Sequence, residues 1–197
     1  VALLNDDVEV TDGWLRPLLD ALDDDALLGA VLPKLLVAES DPARVNSVGV
    51  CVGRDGAGRD IGYDELDGPG FEKDRAIEAF TGGAVLFRGE FLDDTGGFDP
   101  SYFLYYEDLD LARRGQRLGW RYRCVPDSVV RHSVSASTGQ LGDTALPVQQ
   151  DLRGQGVHAR RLQPGPRPRG HVPAAGLRED RQQVAEARVA VRVPLEV

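Results

Sequence analysis

The pattern of residues in this chain predicts an α/β fold, and three observations carry that expectation. Short apolar runs end in acids or turn residues, as Val1-Ala2-Leu3-Leu4 does on reaching Asn5-Asp6-Asp7. Helical patterns lie between such runs, the first marked by Leu15, Leu18, Leu19 and Leu22 at 3.6-residue spacing. Residues 96–132 then place a helix start directly before a run of strand period. Acids that end a buried strand stand at the carboxyl edge of a sheet, where α/β folds place ligands.

In chain order, Thr11 or Asp12 is placed to cap the first helix, and Pro17, beyond the first turn of a helix so capped, is expected to bend or delay it. Asp23-Asp24-Asp25 reads as a solvated helix end. Residues 29–37 and 48–52 read as strands, and the Gly-rich 53–62 as a hairpin or mobile loop, too irregular to cradle phosphate. The acid-rich residues 60–78 show no period and read as an exposed loop able to order over a substrate. Strand character returns over 79–88, where Gly82 and Gly83 mark a bulge, a close backbone approach or simple packing.

Residues 96–132 carry the densest pattern. Tyr102, Phe103, Tyr105 and Tyr106 precede the acids Glu107, Asp108 and Asp110, which open a helix marked by Leu109, Ala112 and Arg113. Unpaired N–H groups and the positive dipole end of a helix stabilise carboxylates in its first turn. A carboxylate shielded there by aromatic rings can stay ionised and serve as a positioned general base, although the same pattern fits a capped surface helix. Gly119 stops the helix; Trp120, Tyr122 and Cys124 then alternate with Arg121, Arg123 and Val125, and Pro126-Asp127 breaks the run before residues 128–132.

This stretch resembles glycosyltransferase family 2, the inverting GT-A glycosyltransferases, and most closely its rhamnosyltransferase-like members. Gly96, Gly97, Phe98, Asp99, Glu107, Asp108, Arg113, Gly119, Pro126 and His132 carry the likeness. The resemblance implies a Rossmann-like GT-A fold, with residues 1–138 a partial catalytic domain and the N-terminal nucleotide-binding half missing. It implies metal-dependent sugar transfer with inversion, from a nucleotide-diphosphate sugar to a carbohydrate or glycolipid hydroxyl in polysaccharide biosynthesis. Asp108 is implied as the base, with Glu107 orienting it or binding acceptor. Asn5-Asp6-Asp7, which alone reads as a turn or helix cap, then resembles the family's Asp-x-Asp motif with Asn5 in the first place. Asp7 is implied to ligate Mg2+ or Mn2+, His132 to complete that shell, and Asn5 and Asp6 to contact the donor. Thr81, Gly82, Gly83 and Ala84 are implied to face sugar and acceptor, and Arg113 to pair with an acid of its own helix start. The rival reading is a catalytically inactive fragment or a carbohydrate-binding module that keeps the acceptor half of the fold.

Composition narrows the classes further. A chain of 197 residues, 42% hydrophobic, allows one core with an appendage. Neither an apolar run of membrane-span length nor a signal peptide is visible, so the expectation is a soluble cytoplasmic chain, at most peripheral to a membrane. A net charge of −9 argues against nucleic acid as partner. Residues 1–132 hold 26 acids and 14 bases, whereas 133–197 hold 6 and 9, so the chain changes character near His132. Cys51 and Cys124 form no metal motif and are expected to be reduced core thiols. Residues 133–140 are polar, of the sort the resemblance implies would order over a diphosphate. Residues 139–197 lack any aromatic and are rich in Gly, Pro and Arg, which predicts a disordered or weakly helical tail, with one weak apolar face over 177–193.

Overall fold

A computed structural model of the chain describes residues 1–102 and 106–133. The expectations for 134–197, and for Phe103 and Tyr105, lie outside the described residues. The spine is strand β3 (Leu28–Val37), whose residues are buried up to Leu36. That is why its sequence, LGAVLPKLLV, shows no alternation: both faces of the strand are covered.

Strand β9 (Arg121–His132) runs parallel to β3, and β8 (Ala84–Phe87) antiparallel on its other side, with β1 (Ala2–Leu4) beyond. Strands β2 (Val8–Val10) and β7 (Arg75–Ile77) pair antiparallel with the last and first parts of β9, and β4 (Val45–Ser47) with the end of β3. The mixed sheet is therefore ordered β1-β8-β3-β9-β2. A separate hairpin of β5 (Val50–Val52) and β6 (Gly58–Asp60) is tied to the body by reciprocal backbone hydrogen bonds between Val50 and Ala79, at 2.9 and 3.1 Å.

Alternate side chains of the sheet feed two opposite layers. Helix α1 (Leu15–Asp24) lays Leu18, Ala21 and Leu22 on Val31, Leu86 and Val125. Helices α2 (Gly89–Thr95) and α3 (Glu107–Arg117) cover the other face, where Ala30, Leu32, Val85 and Phe87 meet Phe91, Leu111 and Ala112. Phe91 is fully buried and meets Phe80, Trp120 and Tyr122 edge-on, with ring centroids 5.8–6.2 Å apart. Helix α3 can sit this close only because residue 115 is glycine; a Cβ there would collide with the Tyr122 hydroxyl and the Phe91 ring.

Several local expectations are corrected. Thr11 does not cap α1: its hydroxyl donates to the Val129 carbonyl at 2.7 Å, and Trp14 stands at the N-cap without a side-chain bond. With the helix starting at Leu15, Pro17 falls inside the first turn, where a missing N–H loses no intrahelical partner. The expected strand over 48–52 begins only at Val50, as β5, with Val48 and Gly49 linking it to the end of β4. Strand β8 begins only at Ala84, leaving 81–83 as a loop. Pro126 does not end a strand. The register steps from Pro33↔Val125 to Lys34↔Val129, so Pro126, Asp127 and Ser128 bulge out while β9 continues, and a bulge is where a proline without a ladder N–H is tolerated. Cys124 is buried, and burial pushes its thiol up to about 12, but Cys51 is exposed on β5.

The acid-rich loop between β6 and β7 is exposed over most of its length yet firmly anchored. Lys34 on β3 is only 7% exposed, and its Nζ donates to both carboxylate oxygens of Asp67 at 2.9 Å. Among the described residues no helix is long and apolar enough to cross a membrane. Removing one partner of a pair this well buried leaves an uncompensated charge. Asp67→Ala is expected to lower unfolding free energy by about 3 kcal/mol, read by urea denaturation, and adding Lys34→Met is expected to restore much of it. Equal losses in the single and double variants would contradict this.

Candidate active site

The carboxyl ends of β1, β3 and β9 and the start of β8 all reach one edge of the sheet, where Asp7 and His132 come into contact. Three backbone bonds hold the edge together. The Asn5 N–H donates to Gly83 O at 3.0 Å, Ser133 N–H to Asp7 O at 2.9 Å, and Ala38 N–H to His132 O at 3.0 Å. The turn after β1 leaves Asn5 and Asp6 exposed but directs Asp7 inward, its side chain 6% exposed.

Asp7 and His132, 125 residues apart in sequence, are in direct contact. His132 Nε2 lies 3.0 Å from Asp7 Oδ1, and its Nδ1 lies 2.9 Å from Oδ1 of Asn46. Among the described residues no three His, Cys, Asp or Glu side chains gather closely enough to hold a metal ion between them. The Asp7–His132 contact sets a carboxylate oxygen against an imidazole nitrogen.

On the neighbouring face, α3 begins at Glu107 with Glu107, Asp108 and Asp110 in its first turn, each differently held. Asp110 accepts from Arg114 Nε at 2.7 Å, four residues on, and is committed to the helix surface. Glu107 has one carboxylate oxygen, Oε2, buried without a hydrogen-bond partner among the described residues. Asp108 accepts from the Gly82 N–H at 3.0 Å and from the Leu109 N–H at 2.6 Å. Both bonds favour its charged form, yet burial and the adjacent Glu107 charge outweigh them and push the carboxyl up to about 6. Asp60 adds to that push from β6.

The 81–83 loop joins the two clusters. Gly82 bonds Asp108, while a Cβ on Gly83 would stand 3.0 Å from Leu35 and 3.9 Å from His132, so the backbone passes close to both. Thr81 Oγ1 accepts weakly from the Gly83 N–H at 3.5 Å. Ala84, the first residue of β8, has its side chain fully buried beside Leu35 and Val130. Arg113 does not pair with an acid of its helix start; its Nη2 donates to the Gly56 carbonyl at 3.2 Å, across to the β5–β6 hairpin. Five and six residues from Asp108 and Glu107, it lies off their helix face, whereas Arg114 is one turn from Asp110.

Two residues of this edge escaped the sequence reading. Asn46 is a buried amide between Val45 and Ser47 on β4. Asp60, hidden in the acid-rich stretch, has its carboxyl raised by desolvation, while Ser47 and the His132 ring draw it back. The residue itself is solvent-exposed. A polar pair inside an apolar strand run was the available signal for Asn46 and Ser47.

Asp108 also links the site to stability. Its folded value, about 6, is above the ordinary 3.8, so the fold favours the protonated form. That contribution is fully present below about pH 4 and is lost as pH rises through about 6. Relative to wild type, Asp108→Asn is therefore expected to gain on the order of 2 kcal/mol between pH 4 and pH 8. Denaturant midpoints at both pH values check this, and an increment independent of pH would contradict it.

Comparison with known proteins bears on the family and the fold. Residues 56–156, slightly more than half of the chain, match the family described as Glycosyltransferase like family 2. Two curated relatives, both named N-acetylglucosaminyl-diphospho-decaprenol L-rhamnosyltransferase, come from Mycobacterium tuberculosis strains CDC 1551 / Oshkosh and ATCC 25618 / H37Rv. Each is 37% identical over 67 residues, 34% of this chain, and the chain spans 22% of the relative's length. A crystal structure of GalNAc-T7 with UDP, GalNAc and Mn2+ shares the fold at a TM-score of 0.52 and 18% identity, over 66% of this chain and 27% of that one.

Proposed function

This chain belongs to glycosyltransferase-like family 2 and has the α/β GT-A fold, and from that premise we propose that it carries the catalytic edge of a sugar transferase. The proposed reaction is transfer from a nucleotide-diphosphate sugar to a hydroxyl of a carbohydrate or glycolipid, with inversion. The rhamnosyltransferase relatives make a deoxyhexosyl donor and a diphosphate-linked lipid acceptor the nearest reading. The observation that carries the proposal is Asp108, a shielded carboxylate held by two backbone N–H groups with its value raised to about 6.

In the proposed step the acceptor oxygen attacks the anomeric carbon while Asp108 takes the hydroxyl proton, and the bond from that carbon to the donor diphosphate breaks with its electron pair leaving on the diphosphate. A carboxylate titrating near 6 is charged at neutral pH yet more basic than an ordinary Asp, as a general base requires. The Glu107 oxygen that has no partner among the described residues supports a role in accepting from the acceptor's hydroxyls. Inversion follows from a single displacement in which base and leaving group lie on opposite faces of the sugar.

Asp7 and His132 fit a divalent cation. Their facing atoms stand 3.0 Å apart, near the spacing of neighbouring ligands in an octahedral shell with bonds of about 2.1 Å. A carboxylate oxygen with an imidazole nitrogen suits Mn2+ and, less well, Mg2+. Such an ion, when bound, supplies positive charge to the departing diphosphate. Asn5 and Asp6, exposed beside Asp7, are proposed donor contacts.

Replacing the base while keeping its shape tests the reading. In the active enzyme Asp108→Asn is expected to lower turnover at least about 100-fold with donor KM within a few-fold, measured by nucleoside-diphosphate release. Wild-type kcat/KM is expected to climb through about pH 6 and then level. Near-normal turnover by the variant would refute Asp108 as base.

A further inference from the structure

His132 has two ring nitrogens, and the structure gives each a different neighbour from a different part of the chain. Nε2 faces Asp7 from the β1–β2 turn at 3.0 Å, and Nδ1 faces Oδ1 of Asn46, on β4, at 2.9 Å. An amide oxygen only accepts, so the contact with Asn46 requires the proton on Nδ1. The Asp7 carboxylate likewise only accepts, so its contact takes a proton on Nε2; a cation there would replace that proton and leave the one that Asn46 holds on Nδ1.

The way Asn46 reaches His132 is itself unusual. The β3–β4 register steps from Leu35↔Ser47 to Leu36↔Val45, so one step on β3 opposes two on β4 and Asn46 is the extra residue of a bulge. Bulges commonly re-aim a side chain near a working site. Asn46 is 9% exposed, beside Val45 at 0% and close to Val48 at 1%. A buried amide in such surroundings is unfavourable unless it is hydrogen-bonded, and a hydrocarbon would serve packing better. Its oxygen instead faces the His132 imidazole at the sheet edge.

We propose that Asn46 is a positioning residue that fixes the tautomer and ring orientation of His132, so that Nε2 is directed with Asp7 at a divalent cation. The inference rests on the Asp7–His132 cation reading given above. Partners on the far nitrogen of a ligating histidine typically change metal affinity 10–100-fold when removed.

The test is Mn2+ affinity without nucleotide or sugar, by calorimetry or by the electron paramagnetic resonance of free Mn2+, on wild type, Asn46→Leu, Asn46→Asp and Asp7→Ala. Asn46→Leu is expected to bind Mn2+ about 10–100-fold more weakly. Asn46→Asp, which keeps an acceptor for the Nδ1 proton, is expected to bind at least as tightly as wild type while melting at a lower temperature, because it buries a charge. A packing role predicts the reverse, with affinity following stability. Binding by Asn46→Leu within threefold of wild type, or Asn46→Asp as weak as Asn46→Leu, overturns the inference while leaving the Asp7–His132 reading intact. Absent Mn2+ binding by wild type, or binding unchanged in Asp7→Ala, overturns that reading and this inference with it. Should Asn46→Leu not fold by circular dichroism, Asn46→Ala is read by the same criteria.

Discussion

The parallel pairing of β3 with β9 is the constraint on which the rest of the structure depends. It joins residues about 90 apart, from Leu28↔Arg121 to Val37↔His132, and every other strand of the main sheet reaches the core through one of the two. A parallel pair must be covered on both faces, which accounts for the unbroken apolar run of β3 and for helices on both sides. The ladder also sets where the chemistry stands. His132 is the last rung, so the same hydrogen bonds that build the core deliver the imidazole to the sheet edge, level with the end of β1.

Within that edge the protein separates acids that are identical in sequence context. Glu107, Asp108 and Asp110 share one helix start and one favourable dipole, which alone would hold all three in the ordinary carboxylate range. What divides them is their surroundings: a guanidinium one turn away for Asp110, backbone N–H groups and a desolvating wall for Asp108, and for Glu107 a buried oxygen without a partner among the described residues. For Asp108 desolvation wins over the helix start and two hydrogen bonds together. Roles follow from environment and not from residue type.

Much of this was legible in the sequence because it depends on local pattern. Acids at a helix start, a glycine at its stop and an apolar strand ending in Asn5-Asp6-Asp7 are signals written over a few residues, and they located α3, β1 and the two ends of the site. What could not be read depends on register and on partners far along the chain. The bulge that keeps β9 continuous past Pro126 is visible only against Lys34, and the one that turns Asn46 toward His132 only against Leu35 and Leu36. The same limit explains Arg113, whose partner is a carbonyl in the β5–β6 hairpin, and Cys51, which pairs with the exposed Arg59 of β6. Periodicity gives a strand's existence; it does not say which face a neighbour will cover.

The central claim is that the fold holds Asp108 as a shielded carboxylate poised near neutrality beside the Asp7–His132 pair. The most direct measurement is the pH titration of its side-chain carboxyl by carbon-13 NMR, assigned through loss of the resonance in Asp108→Asn. The account predicts a midpoint of about 6. A midpoint near 4, the value of an ordinary exposed aspartate, would contradict it.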